Sequence, residues 1–192
     1  SRFQFNRFKS EAWDIEHIRS VASEMPESKD KQKAWIENVV LFISDSDKNK
    51  KVNGLHGQEH VEAQSIRDDS RALLTAKTFK SNAFELLFNR VIELYDPGAN
   101  DEIDQSIGNL TLLDSSTNRS YQNAVFPIKR ARIISLDKSA TFVPLCTKNA
   151  FLKYYSHHVD KMMFWASQDS QDHQKAMAEM IVKFFNRQGV RL

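Results

Sequence analysis

"WDIEHI", residues 13–18, places two acids and a histidine inside an otherwise apolar hexapeptide. Read as a strand, alternate residues share a face: Trp13, Ile15 and His17 on one side, Asp14, Glu16 and Ile18 on the other. Two readings compete. In the plain one, this is an edge strand whose charges face water. In the sharper one, an acid that binds metal stands beside a histidine that works as a base. The hexapeptide cannot separate them, so the rest of the chain must.

The 192 residues leave room for one domain with a full core or two small ones. A hydrophobic fraction of 41% and a charged fraction of 27% are those of an ordinary globular protein. The net charge of +2 permits a nucleic-acid partner without arguing for one, so any basic surface must come from local clustering. The one cysteine, Cys146, excludes an intramolecular disulfide framework and a multi-cysteine zinc site, and fits a reducing cytoplasm. No apolar run approaches the roughly 18 residues of a membrane span, so no membrane partner is expected. The chain opens at Ser1 and soon meets its most unusual motif, which reads as a domain cut from a longer protein.

Periodicity predicts a mostly helical α+β fold. "FQFNRFKS" (3–10) alternates aromatic and polar residues as an extended lead-in to the "WDIEHI" strand. "KQKAWIENVVLFI" has helical spacing, with Asp30 as a start signal after Pro26. "SDSDKNKKVNGLHG" reads as a loop, Glu59 to Tyr95 as one or two helices, and "DPGANDEID" as a break. "NLTLL" (109–113) is a short apolar strand, and "DSSTNRSYQNAVF" carries helix-start signals led by Asp114. Pro127 is expected to stop that helix or sit in a turn, and "KRARIISLD" to be a short basic helix or strand. "TKNAFLKYYSHHVDKMMFWAS" reads as one helix and "DSQDHQKAMAEMIVKFFNRQ" as another, capped by Asp169 or Ser170 and ended at Gly189.

"D-I-E-H-I", followed some ninety residues later by "I-G-N-L-T-L-L-D-S-S-T-N-R-S", resembles the HNH, or ββα-metal, nuclease motif. The matching positions are Glu16-His17 at the end of strand one, Asn109 opening strand two, and Asn118 on the following helix, an H-N-N version of the pattern. The whole chain, including "FVPLCTKNAFLKYYS" and the tryptophan-bearing last segments, further resembles the C-terminal nuclease domain of GmrSD-type restriction proteins, a layout shared with SspE-type phage-defence proteins. The resemblance implies a single ββα-metal domain over residues 1–192. A helical insertion (20–104) separates its two strands, 105–132 hold the second strand and metal helix, and 145–192 hold C-terminal helices. It also implies an N-terminal nucleotide-hydrolysing sensor module, on the same or a partner chain, that these residues do not include.

The chemistry explains the residue types. Phosphodiester hydrolysis needs a nucleophile made from water and stabilisation of charge on the phosphorane and the leaving oxygen. A neutral imidazole can take the water's proton at cellular pH, which makes His17 the expected general base. Glu16 and Asn118 offer hard oxygens suited to one Mg²⁺ or Mn²⁺ ion, with Asp14 as a second ligand or outer partner. Asn109 is implied by the resemblance to hold the loop that orients His17. Arg119, Lys129, Arg130 and Arg132, with Asn123 as polar support, are the candidate contacts to nucleic acid.

Other candidates have plainer readings. His56 and His60 have the i,i+4 spacing of a zinc pair, but Gly57 intervenes and no third ligand is near. His157 and His158 read as surface residues, Cys146 as a small core residue, and Asp114 as a helix cap rather than a ligand. The expected function is a metal-dependent DNA endonuclease, cytoplasmic, cutting double-stranded phage or foreign DNA as the effector of a restriction system. The alternatives are a non-catalytic DNA-binding or partner-docking module, or a ribonuclease.

Overall fold

The structure is a computed structural model that describes residues 12–19, 25–48, 55–97, 104–115, 117, 124–139, 141–157 and 162–187. The extended lead-in expected at 3–10 and the greater part of the helix expected after Asp114, including Asn118, Arg119 and Asn123, lie outside the described residues. Within them the protein is a mostly helical α+β fold: β1 (Trp13–His17), α1 (Lys29–Lys48), α2 (Gln58–Thr75), α3 (Ser81–Tyr95), a 3-10 turn η1 (Ile107–Asn109), β2 (Leu110–Asp114), α4 (Phe126–Lys138), α5 (Leu145–Phe151) and α6 (Ser167–Arg187).

The three helices between the strands are built on plain helical spacing. α1 starts at Lys29, one residue before the expected start at Asp30, behind Ser28, whose hydroxyl accepts a bond from the Lys31 amide (3.3 Å). It buries Gln32, Trp35, Ile36, Val39, Phe42 and Ile43 on one face. α3 answers with Phe84, Leu87, Phe88, Val91 and Tyr95. Trp35 meets Phe84 edge-on at 5.7 Å and Phe88 at 5.0 Å, and Phe42 meets Tyr95 at 5.5 Å. α2 packs between its neighbours through Ala63 and Ile66. Gly57, with φ +55°, turns the chain into α2 and leaves His56 outside the helix, so the i,i+4 pairing of His56 with His60 does not arise.

β1 and β2 pair antiparallel, Trp13 opposite Asp114 and His17 opposite Leu110. The ladder continues past both ends, from Ser115 N–H to the Ala12 carbonyl (2.8 Å) and from Ile18 N–H to the Asn109 carbonyl (2.8 Å). α5 docks on β2 through Thr147, whose hydroxyl donates to the Leu112 carbonyl (2.5 Å) and accepts from Thr111 (2.8 Å). Phe126 of α4 stacks on Phe151 (5.8 Å) and packs on Trp165 (5.6 Å), closing the core on the C-terminal side.

Three local expectations are corrected. Pro127, expected to stop the preceding helix or sit in a turn, lies in the first turn of a new helix, α4, where its missing N–H costs nothing. The long helix expected from Thr147 ends at Phe151 and turns follow, because Lys153 takes a left-handed backbone (φ +55°) and buries its ammonium on Asp169 (2.8 Å). Asp169 does not cap α6 from outside; it sits inside the first turn and accepts the Ala166 N–H (2.8 Å), as an acid at the third helical position does.

Candidate active site

Burial along β1 is inverted relative to a plain edge strand. Ile15 is 66% exposed, whereas the carboxylate-bearing Glu16 is only 9% exposed. An unpaired buried carboxylate is costly, and its partner comes from far along the chain. Lys129, 113 residues away on α4, is fully buried and forms an ion pair with Glu16 Oε1. Its Nζ also donates to the His17 carbonyl (2.8 Å). Burial pushes the lysine's pKa below its ordinary value, opposed by the charge of Glu16. Removing one partner of such a pair typically costs about 3–5 kcal/mol, because the other charge is left stranded.

This placement corrects the expectation that Lys129 contacts nucleic acid, since its side chain is fully buried. On a helix, Lys129 follows Phe126 by three and precedes Ile133 by four, and both of those are buried, so all three share the inward side. Arg130 is half-buried; its Nε donates to the Phe151 carbonyl (3.1 Å), and burial lowers its pKa from the usual arginine value. Arg132 is exposed.

At the end of β1 the next residue, His17, turns to the opposite face and is partly exposed. Its Nε2 lies 3.0 Å from Gln105 Oε1. An amide oxygen can only accept, so this contact favours the tautomer that donates from Nε2, which in a neutral imidazole leaves the lone pair on Nδ1. Gln105 was not among the residues singled out from sequence; it stands four residues before Asn109, on the segment leading into η1.

Asn109 is 1% exposed and makes three of the four hydrogen bonds its amide allows around the turn after β1. Its Oδ1 accepts the Arg19 N–H (2.9 Å), and its Nδ2 donates to the Arg19 carbonyl (3.1 Å) and the Asp104 carbonyl (2.9 Å). With the Ile18–Asn109 backbone bond, two consecutive residues after His17 are tied to one asparagine. The Arg19 side chain continues outward to Asp96 at the end of α3 (3.0 Å). Asp104 completes the cluster. Burial raises its pKa, but hydrogen bonds from Ser106 and Ser170 and the nearby Arg19 charge outweigh that and hold it below the usual aspartate value.

A second clamp holds η1 from behind. Gly108 lies so close to α6 that a Cβ there would stand 2.1 Å from the Ser170 carbonyl oxygen. His173, 2% exposed, donates from Nδ1 to the Gly108 carbonyl (2.8 Å) and stacks on Tyr155 (5.4 Å between ring centres). Burial pushes the His173 pKa below its ordinary value, against the pull of the Gly108 bond.

The structure thus brings Glu16, His17 and Asn109 together and adds Lys129, Gln105 and Arg19. Asp14 shares the Glu16 side of the strand and is exposed. Asp114 accepts the Thr117 N–H (2.9 Å) as the cap of the helical turn that follows β2. Among the described residues no three His, Cys, Asp or Glu side chains converge as metal ligands. Glu16 nevertheless suits a hard cation: Lys129 bonds Oε1, and among the described residues no hydrogen bond reaches Oε2.

No helix among the described residues is long and apolar enough to cross a membrane. No curated protein and no solved structure matches the chain. The family model for the C-terminal domain of GmrSD restriction endonucleases matches residues 2–180, and the chain belongs to that family.

Proposed function

We propose that this restriction endonuclease domain is the effector of its system, a metal-dependent nuclease of the HNH type that hydrolyses DNA phosphodiesters. The observation that carries the reading is the inverted burial of β1, which draws Glu16 inward and leaves its neighbour Ile15 in solvent. A strand that only had to be stable would do the reverse.

In this reading His17 takes a proton from the attacking water at Nδ1, while Gln105 holds Nε2 and fixes the ring. Asn109 keeps the turn after His17 from shifting, so the imidazole meets the phosphate in one orientation. Glu16, through Oε2, and Asn118 would hold the ion, with Asp14 as an outer partner; Mg²⁺ or Mn²⁺ there would supply stabilisation of charge on the phosphorane and the leaving oxygen. Arg119 and Arg132, supported by Asn123, would bind backbone phosphates without reading bases, with Arg130 contributing only its outer guanidinium edge. The signal that licenses cutting would come from a nucleotide-hydrolysing sensor module, and the substrate would be double-stranded foreign DNA.

The test is a plasmid-nicking assay on the domain with and without Mg²⁺, beside its His17→Ala form. Nicking should require the ion, fall by at least about a hundredfold in the mutant, and weaken steeply between about 50 and 200 mM salt. A folded His17→Ala protein that nicks at the wild-type rate would remove His17 as the base. Preference for a matched RNA over DNA would move the activity to the ribonuclease class.

A further inference from the structure

The counter-ion of Glu16 is one the protein supplies itself. A buried pair kept only for stability needs hydrogen bonds to satisfy its remaining lone pairs. Here no hydrogen bond from the described residues reaches Glu16 Oε2, which is not one of the buried unpaired atoms and so opens toward solvent, while the ammonium spends a further hydrogen on the carbonyl of His17. Lys129 therefore touches both residues to which the chemistry has been assigned. Around them His17 faces the neutral Gln105, Arg19 is paired with Asp96, and Asp14 is an exposed acid. The Glu16–Lys129 pair has no net charge, so a divalent cation approaching Oε2 meets a carboxylate already neutralised and a like charge next to it.

We infer that Lys129 is a built-in counter-ion that keeps the cation position at Glu16 weak until nucleic-acid phosphate arrives, so that the ion is held firmly only together with substrate. The inference rests on the proposed reading of Glu16 as a metal ligand. Phosphate oxygens bring the negative charge that Lys129 has cancelled. Ion and substrate then raise one another's affinity by the same factor, as linkage demands. The benefit to a nuclease is that the free domain does not carry a loaded centre.

The test measures Mn²⁺ binding by calorimetry in a His17→Ala background, which leaves DNA uncut, with and without a short duplex. The parent should bind Mn²⁺ at least about tenfold more tightly with DNA, since two added negative charges close to the ion are worth at least that much. Lys129→Met should bind Mn²⁺ about tenfold more tightly than the parent in the absence of DNA, and the duplex should then add little. Lys129→Arg should keep the parental pattern. A folded Lys129→Met protein that binds Mn²⁺ no better than its parent overturns the inference. If the Met form is unfolded in chelator, the same titration is followed by circular dichroism. Refolding by millimolar Mn²⁺ supports the inference; failure to refold, beside a folded Arg form, reduces Lys129 to a structural residue and overturns it. A parent that binds no Mn²⁺ even with DNA removes the metal reading and this inference with it, whereas a parent that does, beside an unchanged Met form, removes this inference alone.

Discussion

Replacing Gly108 by alanine would place a methyl carbon 2.1 Å from the Ser170 carbonyl oxygen, 2.8 Å from its carbonyl carbon and 3.2 Å from its Cα. Ordinary contact begins near 3.4 Å, and all three atoms are main chain, so no rotamer change relieves the clash. Either η1 or the first turns of α6 must move by more than about 1 Å, a distance that a close-packed interior does not absorb freely. Overpacking of this kind costs about 1–3 kcal/mol. The movement also stretches the 2.8 Å bond from His173 to the Gly108 carbonyl, and leaving a buried donor unpaired adds about 1–3 kcal/mol. The expected loss is about 3–4 kcal/mol in urea unfolding, seen as a lower midpoint with an unchanged slope. Cleavage should fall as well at temperatures where the mutant remains folded, because Asn109 is the next residue and shifts with η1. A change in unfolding free energy below about 0.5 kcal/mol would show that α6 does not press on η1 as the geometry requires.

Gln105→Ala should lower the cleavage rate about tenfold or more with little change in stability, the usual cost of losing a partner that orients a functional side chain; an unchanged rate would mean that the imidazole is fixed without it. His173 sets a pH dependence whose sign follows from its depressed pKa. The unfolded chain takes up a proton near pH 6.5 that the folded protein refuses, so this contribution is complete above about 6.5 and is lost as pH falls below it toward the folded value. Unfolding free energy should drop by up to about 1.4 kcal/mol per pH unit in that window, and His173→Phe, which keeps a ring against Tyr155, should flatten the slope; equal slopes in the two proteins would exclude His173 as the source.

Much of the helical insertion was legible because its apolar residues recur at helical spacing, as Phe84, Leu87, Phe88, Val91 and Tyr95 do in α3. The pairing of β1 with β2 was legible through the motif that ends one strand in Glu16-His17 and opens the other at Asn109. The position of Lys129 was misread for a physical reason. In "KRAR" the eye sees a basic cluster, but the helix sorts neighbours onto different faces, and only the spacing from Phe126 to Lys129 to Ile133 reveals that the lysine points inward. Even that spacing could not have named the partner, since Glu16 lies 113 residues away. Gln105 carried no signal of its own, because a glutamine in a polar stretch becomes informative only when the fold sets it beside His17. The end of α5 was hidden likewise: nothing in "FLKYY" announces that Lys153 will adopt a left-handed backbone so that its ammonium can reach Asp169.

The anchors of this corner explain how two strands can meet across so long an insertion. The five-residue pairing of β1 with β2 is too small to hold a residue in place by itself. Each side of the His17 end is therefore tied to a different part of the chain. Lys129 reaches it from α4, Asn109 closes the turn from η1, and His173 together with the Ser170 backbone holds η1 from α6. The Arg19–Asp96 ion pair fastens the same turn to the end of α3, so the insertion itself helps to hold the corner. Three of these four ties end on main-chain atoms of residues 17–19 or 108, which fixes where the backbone runs whatever the neighbouring side chains do. A histidine mounted there needs only Gln105 to select its tautomer. The insertion can thus be long without loosening the proposed catalytic geometry, provided that the segment bearing Asp96 comes back to Arg19.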